Sequence, residues 1–361
     1  MSVLDKLKNN TSKELRAFAS SLDKATIFHD KELIPTPFPA LNVALSGYID
    51  GGLGPGHSML AGPSKHFKSG FTLLLVKTFL DRHPDGACLF YNNEFGMPLS
   101  YFKSFGIDMD RVWHVPFMNV EQLKTDLMGQ VTQLTNKDKV IIIVDSIGNA
   151  ASKKETEDAL EGKSVADMTR AKSFKSLFRM VTPYLPLNDI PLVTINHTYK
   201  TLELYSKDVV GGGTGSYYSA DNIFIIGRQQ EKDGKDTVGY NFIINIEKSR
   251  YVKEKSKIPI EISYENGISK WSALIDWALE TGHVIKPSNG WYQRVDMETG
   301  EVLDKKYRYD DTQNKEFWSP ILSCEKFKEA IAKKFRVSHG DIIEDEDTVE
   351  GVLADLEDEE I

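Results

Sequence analysis

Residues 62–70, GPSKHFKSG, decide the fold. They match the phosphate-loop pattern GxxxxGKS/T at Gly62, Lys68 and Ser69, but Phe67 stands where the pattern has its second glycine. A phosphate loop needs backbone N–H groups converging on oxygens, a lysine for the outer phosphates, and a hydroxyl for magnesium at a helix start. The apolar run HSMLAG leads into Gly62 as a strand, and Lys68, Ser69 and Gly70 open the helical run GFTLLLVKTFL. Between them Pro63, Ser64, Lys65 and His66 form the loop itself. Glycine usually serves a strained backbone at the fifth intervening position, so Phe67 implies either an ordinary backbone there or a slightly reshaped loop. A lysine-rich surface turn would read similarly over this stretch alone, so the rest of the chain must decide.

Downstream of the loop, short β-rich runs alternate with helical stretches: GACLFYNNE, VWHVP, KVIIIVDS, IPLVTINHT, NIFIIGR and YNFIINIEKS. Continuous apolar strands separated by helical patterns predict an α/β fold with a mostly parallel central sheet flanked by helices. The later strands, joined by turns such as KDGKDTVG, read as an antiparallel edge. Residues 3–22 read as one amphipathic helix, followed by a short strand at 25–28 and a stiff extended passage, IPTPFPALN. From about Ser269 a new mixed segment reads as a small C-terminal α/β domain, with a helix at WSALIDWALETG and a strand at NGWYQ. The expected units are therefore an N-terminal helix–strand element (1–40), a core (41–268), a C-terminal domain (269–337) and an acidic tail (338–361).

Cys88 and Cys324 stand far apart without a CxxC or Cys/His grouping, which argues against a disulfide framework or a zinc site. The longest apolar run, Val140–Val144, stops at Asp145, and no membrane segment or signal core is expected. Net charge is −9, but residues 341–361 carry 11 acids and no base, leaving 44 bases against 42 acids in the remainder. The tail reads either as a solubilising segment or as a polyanion that competes with nucleic-acid phosphate for a basic surface.

Three strand ends carry chemistry. Asp145 ends KVIIIVDS, where a nucleotide-binding sheet places the carboxylate that holds magnesium-bound water, with Ser69 as the other metal-side group. Glu94 ends GACLFYNNE, placed to orient or deprotonate an attacking water. His197 ends IPLVTINHT as a side-chain donor; each of the three, taken alone, could equally be structural.

These residues together resemble the RecA recombinases, and most closely the UvsX-type branch of tailed phages, from the N-terminal helix to about residue 335. The resemblance implies a RecA-type P-loop ATPase core that uses ATP and Mg2+, with Lys68 and Glu94 catalytic. It implies that Tyr101, seven residues after Glu94, stacks on adenine. It also implies that His197 replaces a glutamine that reports the terminal phosphate to a DNA-binding loop. The histidine keeps a donor and is titratable.

Two segments follow sheet strands directly. In 153–166 and the helix after it, Lys163, Val165, Arg170 and Lys172 lie along a charge-mixed loop and a helix whose basic face also has Lys175 and Arg179. In 198–215, Tyr199, Lys200, Tyr205 and Lys207 precede a cluster with Gly211 and Gly212. Basic residues interleaved with aromatic ones suit single strands, although a solvated face or a mobile loop has the same composition. The resemblance implies that both line a filament axis and bind single-stranded DNA without reading sequence, for pairing with homologous double-stranded DNA. Lys248 and Arg250, two apart in IEKSRYVKEKSK, would share a strand face. The resemblance implies that they reach a neighbour's ATP. A single-stranded-DNA-binding protein and a recombination mediator are implied partners, in a bacterial host's cytoplasm.

The function expected is a DNA-dependent ATPase and recombinase forming helical filaments. A ring-forming helicase usually adds a larger N-terminal domain, and an ATP-switched DNA-coating protein would not need Glu94. Deleting residues 341–361 is expected to strengthen single-stranded-DNA binding at moderate salt; a salt titration giving equal affinities for both chains would discard the competing-polyanion reading.

Overall fold

The computed structural model describes residues 2–16, 19–25, 31–163, 168–201, 208–211 and 213–338. The N-terminal part holds helices α1 (Val3–Asn10), α2 (Lys13–Arg16) and α3 (Pro39–Ser46). The core continues with β1 (Gly56–Ala61), α4 (Lys68–Arg82), β2 (Ala87–Asn92), α5 (Leu99–Ser104), β3 (Val112–Pro116), α6 (Val120–Val131) and β4 (Val140–Asp145). It then adds α7 (Lys153–Leu160), α8 (Thr169–Val181), α9 (Tyr184–Leu187), β5 (Pro191–Asn196), the short β6 (Thr198–Lys200) and β7 (Asp208–Val210), and α10 (Thr214–Ser219). Strands β8 (Asn222–Asp233), β9 (Asp236–Lys248), β10 (Lys257–Ser263) and β11 (Gly267–Ile268) close the sheet. The C-terminal unit contains α11 (Leu274–Glu280), β12 (Val284–Ser288), β13 (Trp291–Val295), β14 (Val302–Tyr307), α12 (Lys315–Leu322) and α13 (Glu325–Phe335).

The nine-stranded sheet runs β11-β10-β9-β8-β1-β5-β4-β2-β3, parallel from β8 to β3 and antiparallel from β8 to β11. Every residue of β1 and β5 is buried, as a sheet covered on both faces requires. One face packs on α3 and α4 through Leu41, Phe71, Leu75 and Phe79, and the same apolar cluster continues into the C-terminal unit at Trp277, Trp318 and Phe327. The other face packs on α6 and α8 through Leu123, Leu127, Phe174, Leu177 and Phe178. At one end of the sheet β3 pairs, among the described residues, with β2 alone, and its Trp113 is 70% exposed.

Several expectations need correction. Residues 3–22 do not form one helix: Thr11 ends α1 by bonding back to the Leu7 carbonyl through both its N–H and its hydroxyl, and Ser12 caps α2. Neither helix buries a residue. Most of the expected strand at 25–28 lies outside the described residues. The proline-rich passage is not a free linker, because Ile34 pairs with Leu53 and α3 starts at Pro39, so the boundary at residue 40 falls inside a buried helix. The charge-mixed loop after β4 is partly the helix α7, started by a capping box between Ser152 and Glu155. The 198–215 segment forms the β6–β7 hairpin where it is described, and β10 and β11 extend the antiparallel edge beyond the strands expected. Strand β9 stops at Lys248, so Arg250 lies past its end and the two do not share a strand face.

Asn42 is what fixes the incoming passage to the core. It is 3% exposed; its Oδ1 accepts from the Thr36 N–H and hydroxyl, each at 2.7 Å, and its Nδ2 donates to the carbonyls of Thr36 and Ile49. Asn42→Ala strands these partners in the interior and is expected to cost on the order of 2–3 kcal/mol in a denaturant titration.

Candidate nucleotide and nucleic-acid site

Parallel register brings the C-terminal ends of β1, β2, β4 and β5 to one edge, with Asn92 opposite Asp145 and Ala61 opposite Asn196. The chemistry collects there, as it does at the strand carboxyl ends of open α/β sheets. A cavity of about 250 Å³ lined by Lys31, His83, Lys139 and Asp189 lies at the opposite edge, beside the strand starts at Pro55 and Pro191.

The phosphate loop runs from β1 into α4, a 15-residue helix whose first N–H groups face an anion favourably. Lys68 is 6% exposed, and its ammonium donates to the carbonyls of Gly62 at 2.9 Å and Pro63 at 2.8 Å. Burial pulls its pKa down, against the pull of Glu94 and Asp145. Ser64 and Lys65 are exposed, and the His66 ring meets the Ser64 carbonyl at 2.9 Å. Phe67 has φ 57° and ψ 19°, so of the two backbones the sequence left open, the ordinary one is excluded. A left-handed non-glycine residue costs about 1–2 kcal/mol. Lys65 is left-handed as well, with its carbonyl held by Arg228 at 3.1 Å. Tyr101 lies on α5, half-buried.

Ser69 donates to Asp145 Oδ2 at 3.1 Å. Asp145 is 2% exposed, and its Oδ1 is buried without a hydrogen-bond partner among the described residues. Burial first, then the charge of Glu94, pushes its pKa up to about 6. An orphaned, desolvated carboxylate oxygen beside a hydroxyl at a helix start fits a magnesium ion that keeps most of its waters. Among the described residues no cluster of three or more His, Cys, Asp or Glu could hold a metal without such help.

Glu94 lies two residues past β2, its N–H tied to Asn92 Oδ1 at 2.9 Å. Its Oε1 accepts from Ser146 at 2.7 Å, Asn149 at 2.8 Å and His197 at 2.9 Å. The His197 bond is the main reason its pKa is lowered. Gly148 permits this cluster, since a Cβ there would come within 2.6 Å of the His197 ring. Ser146 and Asn149 escaped the sequence reading; their only signal is that they follow Asp145 in DSIGN.

His197 is also the root of the hairpin. Its carbonyl accepts from Gly211 N–H at 2.9 Å, and the neighbouring Asn196 donates to the Gly211 carbonyl at 2.8 Å. Tyr199 and Lys200 are exposed on β6. Val165, Tyr205, Lys207 and Gly212 lie outside the described residues. Lys163 is exposed and pairs with Glu161, while Lys172, Lys175 and Arg179 are exposed on α8. Arg170 is turned inward, donating to the carbonyls of Ile147 and Gly148, and so ties α8 to the loop that follows Asp145. Lys248 donates to the carbonyls of Tyr217, Tyr218 and Ala220 at the end of α10. A lysine has three donors, and all three are matched here. Arg250 pairs through Nε with Asp221 at 2.8 Å and is largely exposed.

A nine-stranded α/β sheet with a phosphate loop and strand-end acids at one edge defines a RecA-type core. The family description "RecA N-terminal domain" matches residues 22–269, and "Bacteriophage T4, Recombination and repair protein, C-terminal domain" matches 271–331. The chain is 48% identical to the recombination and repair protein of Enterobacteria phage T4, over 92% of this chain and 85% of that protein. It is 27% identical to RecA of Bacteroides thetaiotaomicron, over 76% of this chain and 81% of that one. The chain belongs to the RecA family of recombinases. Among the described residues no helix is long and apolar enough to cross a membrane.

Folded Asp145 holds its proton more tightly than the unfolded chain does, so its ionisation removes stability as pH rises from about 4 to about 6, and the loss persists above that. Without magnesium, Asp145→Asn is therefore expected to stabilise the protein near pH 7.5 by about 2–3 kcal/mol, with no gain near pH 4. Thermal unfolding at the two pH values checks this.

Proposed function

We propose that this recombinase is a DNA-dependent ATPase that assembles into helical filaments on single-stranded DNA and pairs it with homologous double-stranded DNA. The observation that carries the proposal is the convergence of Lys68, Ser69, Asp145, Glu94 and His197, from four stretches of chain, on one sheet edge. Bound MgATP would supply the reactive phosphorus and an ion that neutralises charge on its oxygens. Lys68 would leave the Gly62 and Pro63 carbonyls to offset the outer charge, while Ser69 and Asp145 hold the cation side.

Glu94 is the group suited to take a proton from water. Three donors on one of its oxygens favour the charged carboxylate and make it a weak base. Removing the His197 bond raises its basicity, so any movement of His197 sets the activity of Glu94. His197 starts the hairpin that carries Tyr199 and Lys200, so DNA seated on the hairpin would act on Glu94 through a single residue. Lys163, Lys172, Tyr205 and Lys207 would add backbone contacts, with Val165, Gly211 and Gly212 in the same two segments. Arg170 serves this surface indirectly, through its tie to residues 147–148.

For contact with a neighbour's nucleotide, Arg250 is the better placed of the two cations, since Lys248 would first have to release α10. A single-stranded-DNA-binding protein and a recombination mediator are the partners that family membership suggests, in the cytoplasm of a bacterial host.

ATP hydrolysis measured with and without single-stranded DNA, on samples imaged for filaments, tests the proposal. Strong stimulation with helical filaments is expected, lost in Lys68→Ala. Glu94→Gln is expected to lower turnover by about a hundredfold or more while nucleotide still binds. Turnover by closed rings would instead indicate a helicase, and filaments without turnover a DNA-coating protein.

A further inference from the structure

Phe67 has no task in the nucleotide reading above, and its surroundings supply one. Its ring centroid lies 5.3 Å from that of Phe71, edge-on, 5.5 Å from Phe242 on β9 and 6.4 Å from Phe105. Phe105 caps the C-terminus of α5, and its ring meets Tyr101 edge-on at 5.2 Å. On its other side the Phe67 ring lies against Gly70, where a Cβ would come within 2.5 Å of two ring atoms. Glycine at 67 would take the same φ without strain and make none of these contacts. The chain thus keeps a strained backbone and places an aromatic ring between its phosphate loop and α5.

Apart from Phe67, helix α5 is held by Phe102, whose ring meets that of buried Phe90 on β2 at 5.7 Å. It is six residues long and buries none of them fully; Tyr101, Phe102 and Phe105 pack half-buried against the main apolar cluster. A ligand that touches both the loop and α5 would have to order two elements if they moved independently, and each ordering weakens binding. One shared ring removes that requirement. Arg228 supports the same assembly from the other flank, with its guanidinium 4.6 Å from the Tyr240 ring centroid and its Nη1 on the Lys65 carbonyl. Tyr240 in turn packs on Phe242 at 5.9 Å.

We propose that Phe67 is a positioning residue that fixes α5 and Tyr101 relative to the phosphate loop, so that affinity for a nucleoside triphosphate depends on its base as well as its phosphates. This rests on the reading of residues 62–70 and Tyr101 as a nucleotide site. The departure from the glycine pattern then marks a rigid joint between the phosphate and base halves of that site.

Calorimetric binding of ATP and of inorganic tripolyphosphate, both with magnesium, to the intact chain tests it. Phe67→Gly is expected to weaken ATP about tenfold and to leave tripolyphosphate within about twofold, the range of one aromatic contact. Tyr101→Ala should do the same, and the double variant should be no weaker than either single one. Equal losses for both ligands, unchanged ATP affinity, or additive losses overturn the proposal. A parent chain that binds neither ligand overturns the nucleotide reading itself and this inference with it. Thermal unfolding without nucleotide tests the ring contact separately: Gly70→Ala should lower the midpoint in the parent and not in Phe67→Gly. A loss that persists in both would remove the ring from its assigned place and overturn the proposal.

Discussion

The burial of one carboxylate, Asp145, constrains the rest of the core. It ends a strand covered on both faces, so it cannot turn to bulk water, and among the described residues Ser69 is the one that donates to its carboxylate. An ionised group in that position is tolerated because Lys68, itself desolvated, lies close enough to oppose its charge. The lysine depends in turn on the Gly62 and Pro63 carbonyls, which the left-handed turns at Lys65 and Phe67 bring round to it. Sheet, loop and helix start are thus tied by charges that no one of them could bury alone. The stability given up at Asp145 is what leaves an oxygen ready for a cation.

From that point the structure extends through short, well-defined links. Asn93 accepts from the Ser146 N–H, Ser146 donates to Glu94, and Glu94 accepts from His197. Past His197 the backbone enters the hairpin, whose far strand is tied back through Gly211. Arg170 fastens α8 to the same loop, and Lys248 fastens the end of α10, the helix that follows the hairpin. A shift at the hairpin can therefore reach Glu94 without deforming the buried strands, which are close-packed and resist small displacements.

The parallel strands were legible because burial on both faces writes an uninterrupted apolar run, as in VIIIV, and an acid after such a run is conspicuous. The antiparallel edge beyond β9 was not, since Pro259 and Glu261 interrupt KIPIEIS, whose burial alternates. Strands of three residues, as in β6 and β7, are shorter than any periodic signal. Helix α7 has no apolar face, and only its Ser-x-x-Glu start betrays it. Among the residues that meet at the sheet edge, Lys68, Ser69, Glu94, Asp145 and His197 announce themselves by position. The inward turn of Arg170 and the threefold engagement of Lys248 depend on backbone carbonyls, which no residue type encodes.

The two ends of the sheet differ in a way that bears on how the protein can be handled. Strand β11 is two residues long, whereas β3 is five, contains no Lys, Arg, Asp or Glu before it ends at Pro116, shows an exposed Trp113, and on its outer side pairs with no strand among the described residues. An uncharged edge of that length is a template for another strand, whether from a neighbouring subunit or from misfolded chain. Salt screens charge but leaves backbone pairing intact, so high ionic strength will not keep concentrated stocks dispersed. For this chain the β3 edge is therefore a place where added charge, rather than added salt, would favour solubility.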